Sequence, residues 1–239
     1  MQQIVTVTFF RYSGIRNKIW GMSQMFLVRE AMRQMAGVSF FKPLGTGGGA
    51  GYSLMPDFGV YGLLVVWKDI SFAEDFLKST KFDEFRMHSA EQYTVFMTPV
   101  LAKGSWSGFS DWQVSADTDA NAAVAVITYA TIRKGFIIPF LRNTPKVSKV
   151  SEGFQGLVFS KGIGEKPIGE QATFTVWENV THVEQFAYRG KHLEAMRLTR
   201  AKKGFTEELF ARFKPLKAVG TYQGTNPVQE LLDKQQADT

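Results

Sequence analysis

The sequence predicts an α+β protein in which two ferredoxin-like repeats, each of order βαββαβ, close against each other as a pseudo-twofold barrel within one chain. Three observations predict this class. Two alternating strand-like segments begin two halves of similar length, a set of residues recurs about 110 positions later, and 44% of the 239 residues are hydrophobic, enough for a substantial core. The repeat carries most weight, because several unrelated residue types recur in the same order.

Each half begins with a strand followed by a helix. Residues 5–12 (VTVTFFRY) and 124–131 (VAVITYAT) alternate and contain β-branched and aromatic residues, so they are the predicted first strands. The first helix, at about 15–35, has four apolar residues at helical spacing, which predicts a buried face: Ile15, Ile19, Met22 and Phe26. The matching stretch 136–150 contains two prolines and is a weaker helix.

The remaining elements also occur in pairs. Segments 38–47 and 157–164 are apolar strands that end in Gly-x-Gly, and Trp67 and Trp177 in the next strands are 110 positions apart. The same interval separates the potential capping boxes Ser71-x-x-Glu74 and Thr181-x-x-Glu184, which predict helix starts. After about six extra residues in the second half, GSWSG (104–108) matches GTYQG (220–224) at an offset of 116.

These matches divide the chain into four parts. The first ferredoxin-like half is predicted at 1–108, a polar linker at 109–122, the second half at 123–224, and a solvated polar tail at 225–239. We expect the two halves to form one domain, because each sheet exposes an apolar face that needs its partner.

Composition excludes several classes of function. The absence of cysteine removes disulfides, thiolate metal sites, iron–sulfur clusters and cysteine nucleophiles. No apolar run is long enough for a spanning helix and no leader is recognisable, so a cytoplasmic protein is expected. The net charge of +6 suits an anionic partner such as a membrane surface, but the basic residues are dispersed, so we expect no nucleic acid partner.

Sequence motifs give little support to common enzyme classes. The glycine-rich run Gly45–Gly51 is followed by another strand and not by a helix, so a dinucleotide site is not predicted and a hairpin connection is. Phosphate-binding, hydrolase and zinc-protease motifs do not occur.

Three histidines occur, and one of them is a candidate ligand. His88 and His182 have polar surroundings and are expected at the surface. His192 begins a helical segment, and its repeat partner Phe82 is apolar, which predicts that it faces inward. It is either a hydrogen-bonded core residue or the axial ligand of a haem iron, which needs a single protein ligand. Four nearby cations either bind haem propionates or form a solvated basic face: Arg197, Arg200, Lys203 and Arg212.

Ten stretches resemble the spheroidene monooxygenase family of carotenoid biosynthesis, in the same order and from about residue 4 to 224. They are FFRY (9–12), WGMSQMFLVR (20–29), FFKPLGTGGGAGY (40–52), VWKD (66–69), YTVF (93–96), GSWSG (104–108), FSKGIGE (159–165), FTVW (174–177), GKHLEAMR (190–197) and FTEELFARFKPL (205–216). The resemblance implies a form similar to the haem-binding dimeric α+β barrels. The linker is shorter than the family's, and the tail has no counterpart, so the substrate of this chain stays open.

The resemblance also implies a chemistry. A haem b monooxygenase would oxidise an acyclic carotenoid at C2 by successive hydroxylations to a ketone, using dioxygen and a reduced ferredoxin-type donor. His192 matches the family's Gly-x-His segment as iron ligand, and Arg197 and Arg212 match family arginines with propionate or distal-pocket roles, with Arg200 and Lys203 as further propionate contacts. Four aromatic residues are candidates to line the substrate channel, although each is also a plausible core residue: Trp20, Phe26, Phe40 and Phe41.

Three matters stay open on the sequence alone. A carotenoid substrate implies peripheral contact with the inner face of a membrane, and self-association is not decided. The alternatives to the oxygenase are a haem-binding barrel with other oxidative or haem-handling chemistry, and a cofactor-free barrel that binds an apolar ligand.

Overall fold

A computed structural model describes residues 2–48, 55–116, 119–139, 153–166, 169–187, 199 and 202–237. The strands are β1 Ile4–Arg11, β2 Val38–Gly47, β3 Pro56–Trp67, β4 Glu91–Gly104, β5 Val124–Ile132, β6 Leu157–Gly164, β7 Glu170–Trp177 and β8 Phe205–Gly220. The helices within the described ranges are α1 Ile15–Gln34, α2 Ile70–Leu77, α3 Thr80–His88, α4 Val180–Ala187 and α5 Pro227–Ala237, with a short 3₁₀ turn at Lys134–Phe136. None of these helices is both long enough and apolar enough to cross a bilayer.

The strands form one closed antiparallel barrel in the order β1-β3-β2-β6-β7-β5-β8-β4. Each half contributes a four-stranded sheet with ferredoxin-like order, β4-β1-β3-β2 in the first and β8-β5-β7-β6 in the second. The two sheets join where β4 pairs with β8 and where β2 pairs with β6. The predicted pseudo-twofold α+β barrel is therefore confirmed.

The strand registers define how the two halves correspond. Val5 lies opposite Val66, and Ala125 lies opposite Val176, which is 110 positions further on. β1 and β5 therefore correspond at an offset of 120, one residue more than a direct match of 5–12 with 124–131. The difference matters because a slip of one residue moves every side chain of a strand to the other face of the sheet.

Side chains fill the barrel interior. Phe9 lies between Phe159 and Phe174, with ring centroids 5.5 and 6.0 Å apart, and Trp106 stacks on Tyr129 at 4.6 Å. Such contacts between rings belong to a packed core, as is usual for an eight-stranded barrel. A ligand site is therefore better sought on the outer faces of the two sheets, where the helices pack.

The outer face of the first half is covered by α1, α2 and α3. Phe10 of β1 stacks on Phe85 of α3 at 4.4 Å and also approaches Phe82 at 5.7 Å. These rings form a second apolar core with residues of α1 and β3, such as Val28 and Leu63. The outer face of the first sheet is thus covered by a packed core with aromatic rings at its centre.

The prediction of the buried face of α1 was wrong. Its buried residues are Gly21, Gln24, Val28 and Met32, whereas the four residues expected to be buried are exposed: Ile15, Ile19, Met22 and Phe26. The physical reason is the close approach at Gly21, where an added Cβ would lie 2.6 Å from the ring of Tyr12. The helix docks on the side that carries its small residue, and the apolar stripe faces outward.

The helix caps also differ from the prediction. Asp69 caps α2, its Oδ1 accepting a hydrogen bond from the Ser71 N–H at 3.1 Å, and Asn179 Oδ1 accepts from the His182 N–H at 3.1 Å. The predicted capping boxes are therefore wrong, although the true caps are again 110 positions apart. His182 was expected to be exposed and is largely buried instead, because its ring packs against Gly156.

The expectation of a solvated polar tail was also wrong. Residues 227–237 form α5, whose Val228 and Leu231 are buried in the barrel core cluster. The Val228 N–H donates to the Tyr93 hydroxyl at 3.3 Å. In the predicted linker, Trp112 is buried against Phe213, so this connection is packed as well. A small number of buried apolar residues anchors each of these two segments. The average composition of a segment does not reveal such residues.

Glu91 and Glu207 occupy equivalent positions in the two halves, and each stabilises one of the turns that follow β4 and β8. Glu207 accepts hydrogen bonds from the Gly108 N–H at 2.8 Å and the Ser105 hydroxyl at 2.6 Å, and Glu91 accepts from the N–H groups of Gln223 and Gly224. Burial opposes ionisation of both carboxyls. The Arg11 guanidinium together with the two turn N–H groups nevertheless holds the pKa of Glu91 below its usual value, and the hydrogen bonds to Glu207 do the same for its pKa.

These lowered pKa values predict a loss of stability in acid. A carboxyl whose folded pKa lies below its unfolded value near 4.5 contributes stability that is present above that pH and disappears as the pH falls through the folded pKa. We expect the melting temperature of the Glu91→Gln/Glu207→Gln protein to be lower at neutral pH and to depend less on pH below about 4.5. Thermal melts across this range would measure it, and parallel curves for the two proteins would contradict it.

Candidate functional site

The outer faces of the two sheets differ in side-chain size at equivalent positions. Phe10 pairs with Tyr61, and its counterpart Ala130 pairs with Gln171, so the ring at the centre of the first-half packing becomes a methyl group in the second. Leu63 corresponds to Thr173 by the same registers.

The neighbouring strand shows the same reduction. Phe41 pairs with Val65 in the first half, whereas Ser160 pairs with Thr175 in the second. A ring and a branched aliphatic side chain are thus replaced by two small hydroxyl residues. With Ala130 and Thr173, these positions form a floor of small side chains, which we call the second-half floor.

The reduction is local. Trp67 and Phe76 pack with ring centroids 5.4 Å apart, and their counterparts Trp177 and Phe186 lie 5.3 Å apart. The edge of the sheet beside α4 therefore keeps the same aromatic contact as the edge beside α2. The frame is thus retained, and the size reduction is confined to the central positions of the second-half floor.

Two polar atoms at the second-half floor are buried without a hydrogen-bond partner among the described residues. They are Ser160 Oγ and Arg212 Nε. The rest of the Arg212 guanidinium is engaged, with one terminal nitrogen 3.3 Å from Glu184 Oε1 and the group above the Phe210 ring. An unpaired buried donor costs about 1–3 kcal/mol, so two on one floor indicate a place for an acceptor group of a ligand.

An open cleft of about 450 Å³ borders the same face at the start of β8. Its lining includes Arg133, Thr199, Lys203, Thr206 and Glu208. Glu208 pairs with Ala130 across the β5–β8 ladder, so the cleft and the second-half floor are neighbours. The two lining cations, Arg133 and Lys203, are balanced by the carboxylates of Glu207 and Glu208.

The structure brings part of the predicted cofactor set to this face. Arg212 lies beside the second-half floor, because Val126 of β5 pairs with both Arg212 and Thr175, and Lys203 lines the cleft. His192, Arg197 and Arg200 lie outside the described residues.

The sequence repeat nevertheless assigns to His192 an equivalent residue in the first half. Its partner Phe82 is buried and approaches Phe10, and the residue that corresponds to Phe85 is Ala195. The first-half ring set Phe10, Phe82 and Phe85 thus has the counterparts Ala130, His192 and Ala195. Two rings are replaced by methyl groups and the third by an imidazole, a residue type that binds haem iron.

The predicted substrate residues lie in the first half and are not gathered in one pocket of the described structure. Trp20 stacks on His88 at 4.1 Å, and Phe40 stacks on Phe109 at 4.5 Å. Phe41 packs in the layer under the first-half helices, and Phe26 is 75% exposed on the outward side of α1.

No cluster of three or more metal-ligating side chains occurs within the described ranges. A haem iron needs only one protein ligand, so its site would not form such a cluster.

Sequence reasoning missed the second-half floor, although the signal was in the sequence. Applying the repeat offsets residue by residue would have shown rings and branched aliphatics replaced by Ala130, Ser160, Thr173 and Thr175. The correct offset for β1 and β5 was needed, and only the strand register gives it.

Fold and site together define a single-chain barrel of two ferredoxin-like halves, the second of which carries smaller side chains on its outer face. Solved aldoxime dehydratases share this fold. One, described in complex with butyraldoxime, has a TM-score of 0.60 at 10% identity, covering 95% of this chain and 85% of its own; another has 0.56 at 12%, covering 90% and 82%. At such low identity the likeness concerns the fold alone.

Relatives with higher identity identify the family. Spheroidene monooxygenase of Rhodobacter capsulatus is 30% identical over 240 residues, covering 98% of this chain and 99% of its own. The enzyme of the same name from Cereibacter sphaeroides is 31% identical, covering 96% and 72%, and that of Rubrivivax gelatinosus is 30% identical, covering 87% and 80%. No family model matches the chain. On these relatives, the chain belongs to the spheroidene monooxygenase family and is an oxidoreductase of the monooxygenase class.

Proposed function

We propose that this protein is a haem b-dependent monooxygenase that oxidises an acyclic, spheroidene-like carotenoid at C2. Two successive hydroxylations of the same carbon give a geminal diol, which loses water to become a ketone. Each hydroxylation consumes one dioxygen, two electrons and two protons, and releases one water. A reduced ferredoxin-type donor supplies the electrons.

One observation supports haem more than any other: the second-half floor lacks the rings that close the first half. A flat macrocycle would lie against this floor of small side chains, with His192 as its proposed protein ligand. The unpaired Ser160 Oγ and Arg212 Nε suit polar atoms of such a ligand or of its bound partner. The donor set thus fits haem by shape and by chemistry.

Each residue then has a defined role. His192 would hold the iron, and Lys203, Arg197 and Arg200 would bind the propionates by charge. Arg212 and Ser160 donate hydrogen bonds at the floor, with Glu184 fixing the Arg212 guanidinium. Haem, when bound, supplies the activation of dioxygen that oxidation of an unactivated C–H bond requires.

The protein's own contribution is to position one end of the polyene and exclude water from it. The small residues of the second-half floor leave space for that end. Trp20, Phe26, Phe40 and Phe41 remain predicted contacts for the substrate.

An absorption spectrum tests the cofactor, and product analysis tests the reaction. Protein purified with added haem precursor should show a near-stoichiometric Soret band that shifts with carbon monoxide after reduction by dithionite. With spheroidene, reduced ferredoxin and ¹⁸O-labelled dioxygen, we expect a labelled hydroxylated product followed by the C2 ketone.

Other outcomes point to the alternatives. A folded, colourless protein that cannot be reconstituted with haem would favour a cofactor-free barrel that binds an apolar ligand. A Soret band without carotenoid turnover would favour a haem barrel with other oxidative or haem-handling chemistry.

A further inference from the structure

An apolar ridge runs along the outward side of α1. Its members are Ile15, Ile19, Met22 and Phe26, spaced by four, three and four residues, and all are exposed. Ile15 and Phe26 expose 76% and 75% of their surface. This ridge, which we call the α1 ridge, lies opposite the residues that pack on the barrel. A surface helix normally turns its polar side outward, whereas α1 carries apolar side chains on its outward side as well as on its buried side.

Basic residues flank the α1 ridge. Arg16 and Lys18 are exposed, and no ion pair to either is found within the described ranges. From Ile15 to Arg29 the helix contains no acidic residue; the first is Glu30, which pairs with Arg33. An apolar strip with cations along its first turns has the pattern of a helix that lies in the interface of an anionic bilayer.

Charge argues against a second copy of the chain as the occupant. A twofold contact between the first turns of α1 would bring Lys18 and Arg16 of one copy towards the same basic stretch of the other. Glu30, the nearest acid on the helix, is already engaged by Arg33 and Gln34. Anionic lipid headgroups neutralise these cations while the acyl chains take up the apolar side chains.

We propose that the α1 ridge is a membrane-docking surface, which lies flat on an anionic bilayer with Ile15, Ile19, Met22 and Phe26 inserted at the headgroup boundary. Arg16 and Lys18 contact lipid phosphates. Docking does not depend on the proposed haem chemistry, and lipid binding is measured without substrate or cofactor turnover.

Vesicle flotation tests the proposal with the purified full-length protein. Wild type should float with phosphatidylcholine vesicles that contain phosphatidylglycerol. The Ile15→Ser/Ile19→Ser/Met22→Ser variant should bind about 100-fold more weakly, since three apolar side chains no longer enter the bilayer. Arg16→Gln/Lys18→Gln should weaken binding to the anionic vesicles by roughly tenfold, and added salt should reduce that difference.

A matched control uses exposed apolar residues elsewhere. Val114→Ser/Val219→Ser removes two such side chains from other surfaces and should bind vesicles as wild type does. Because the chain has no cysteine, a polarity-sensitive fluorophore on Ile19→Cys should shift to the blue on anionic vesicles, and one on Val114→Cys should not. Equal flotation of the Ser triple variant and wild type, or no blue shift at position 19, would overturn the proposal. A wild-type dimer that the triple variant makes monomeric, without vesicle binding, would assign the ridge to a second copy instead.

Discussion

Replacing His192 by alanine is expected to abolish stoichiometric haem binding while the barrel stays folded. The imidazole is the proposed single protein ligand of the iron, and without it the macrocycle keeps only the contacts of its propionates and faces. Alanine is well tolerated in helices, so loss of stability is not the expected cause. The Soret absorbance per protein after reconstitution measures the effect, with circular dichroism as the test of folding.

The other two histidines give matched controls. His88 stacks on Trp20 in the first half, and His182 packs against Gly156. Neither is assigned to the cofactor, so His88→Ala and His182→Ala should keep the Soret band. Full haem content in a folded His192→Ala protein would refute the ligand assignment, but the assignment of the chain to its family would stand.

Filling the second-half floor should also block ligand binding. Ala130→Phe restores the ring that Phe10 supplies in the first half and places it where the macrocycle is proposed to lie. We expect at least a tenfold loss of haem affinity, on the order of the 1–3 kcal/mol typical of overpacking a filled site. Titration with haem, followed by absorbance, measures the change.

A second variant and a reciprocal one make the test sharper. Thr173→Leu introduces the Leu63 side chain at a half-buried position and should weaken haem binding with little risk to folding. Phe10→Ala makes the opposite change in the first half, where the ring stacks on Phe85. It should cost about 3–5 kcal/mol of unfolding free energy and leave haem affinity unchanged. Unaltered haem affinity in both floor variants would place the ligand elsewhere.

The sequence was informative where residues recur, because a repeat constrains topology without any knowledge of packing. Trp67 and Trp177, with the paired Gly-x-Gly strands, were enough to predict the order of elements and the barrel. His192 was singled out by elimination, since the chain has no cysteine and its other histidines lie among polar residues.

The errors share one cause, which is that docking between elements is decided in three dimensions. The apolar stripe of α1 has a correct helical period, but Gly21 lets the opposite side approach Tyr12 and so selects the buried face. The tail looked polar, yet Val228 and Leu231 suffice to anchor a helix on the barrel.

The sequence by itself therefore determined the repeat, the α+β barrel and the family of this chain. Only the tertiary structure decided which faces are buried, because strand register and helix docking depend on contacts between distant residues. The same contacts revealed that Ala130, Ser160, Thr173 and Thr175 occupy the places of larger side chains. Such a replacement of large by small side chains is recognised only when the strand register shows which positions of the two halves are equivalent.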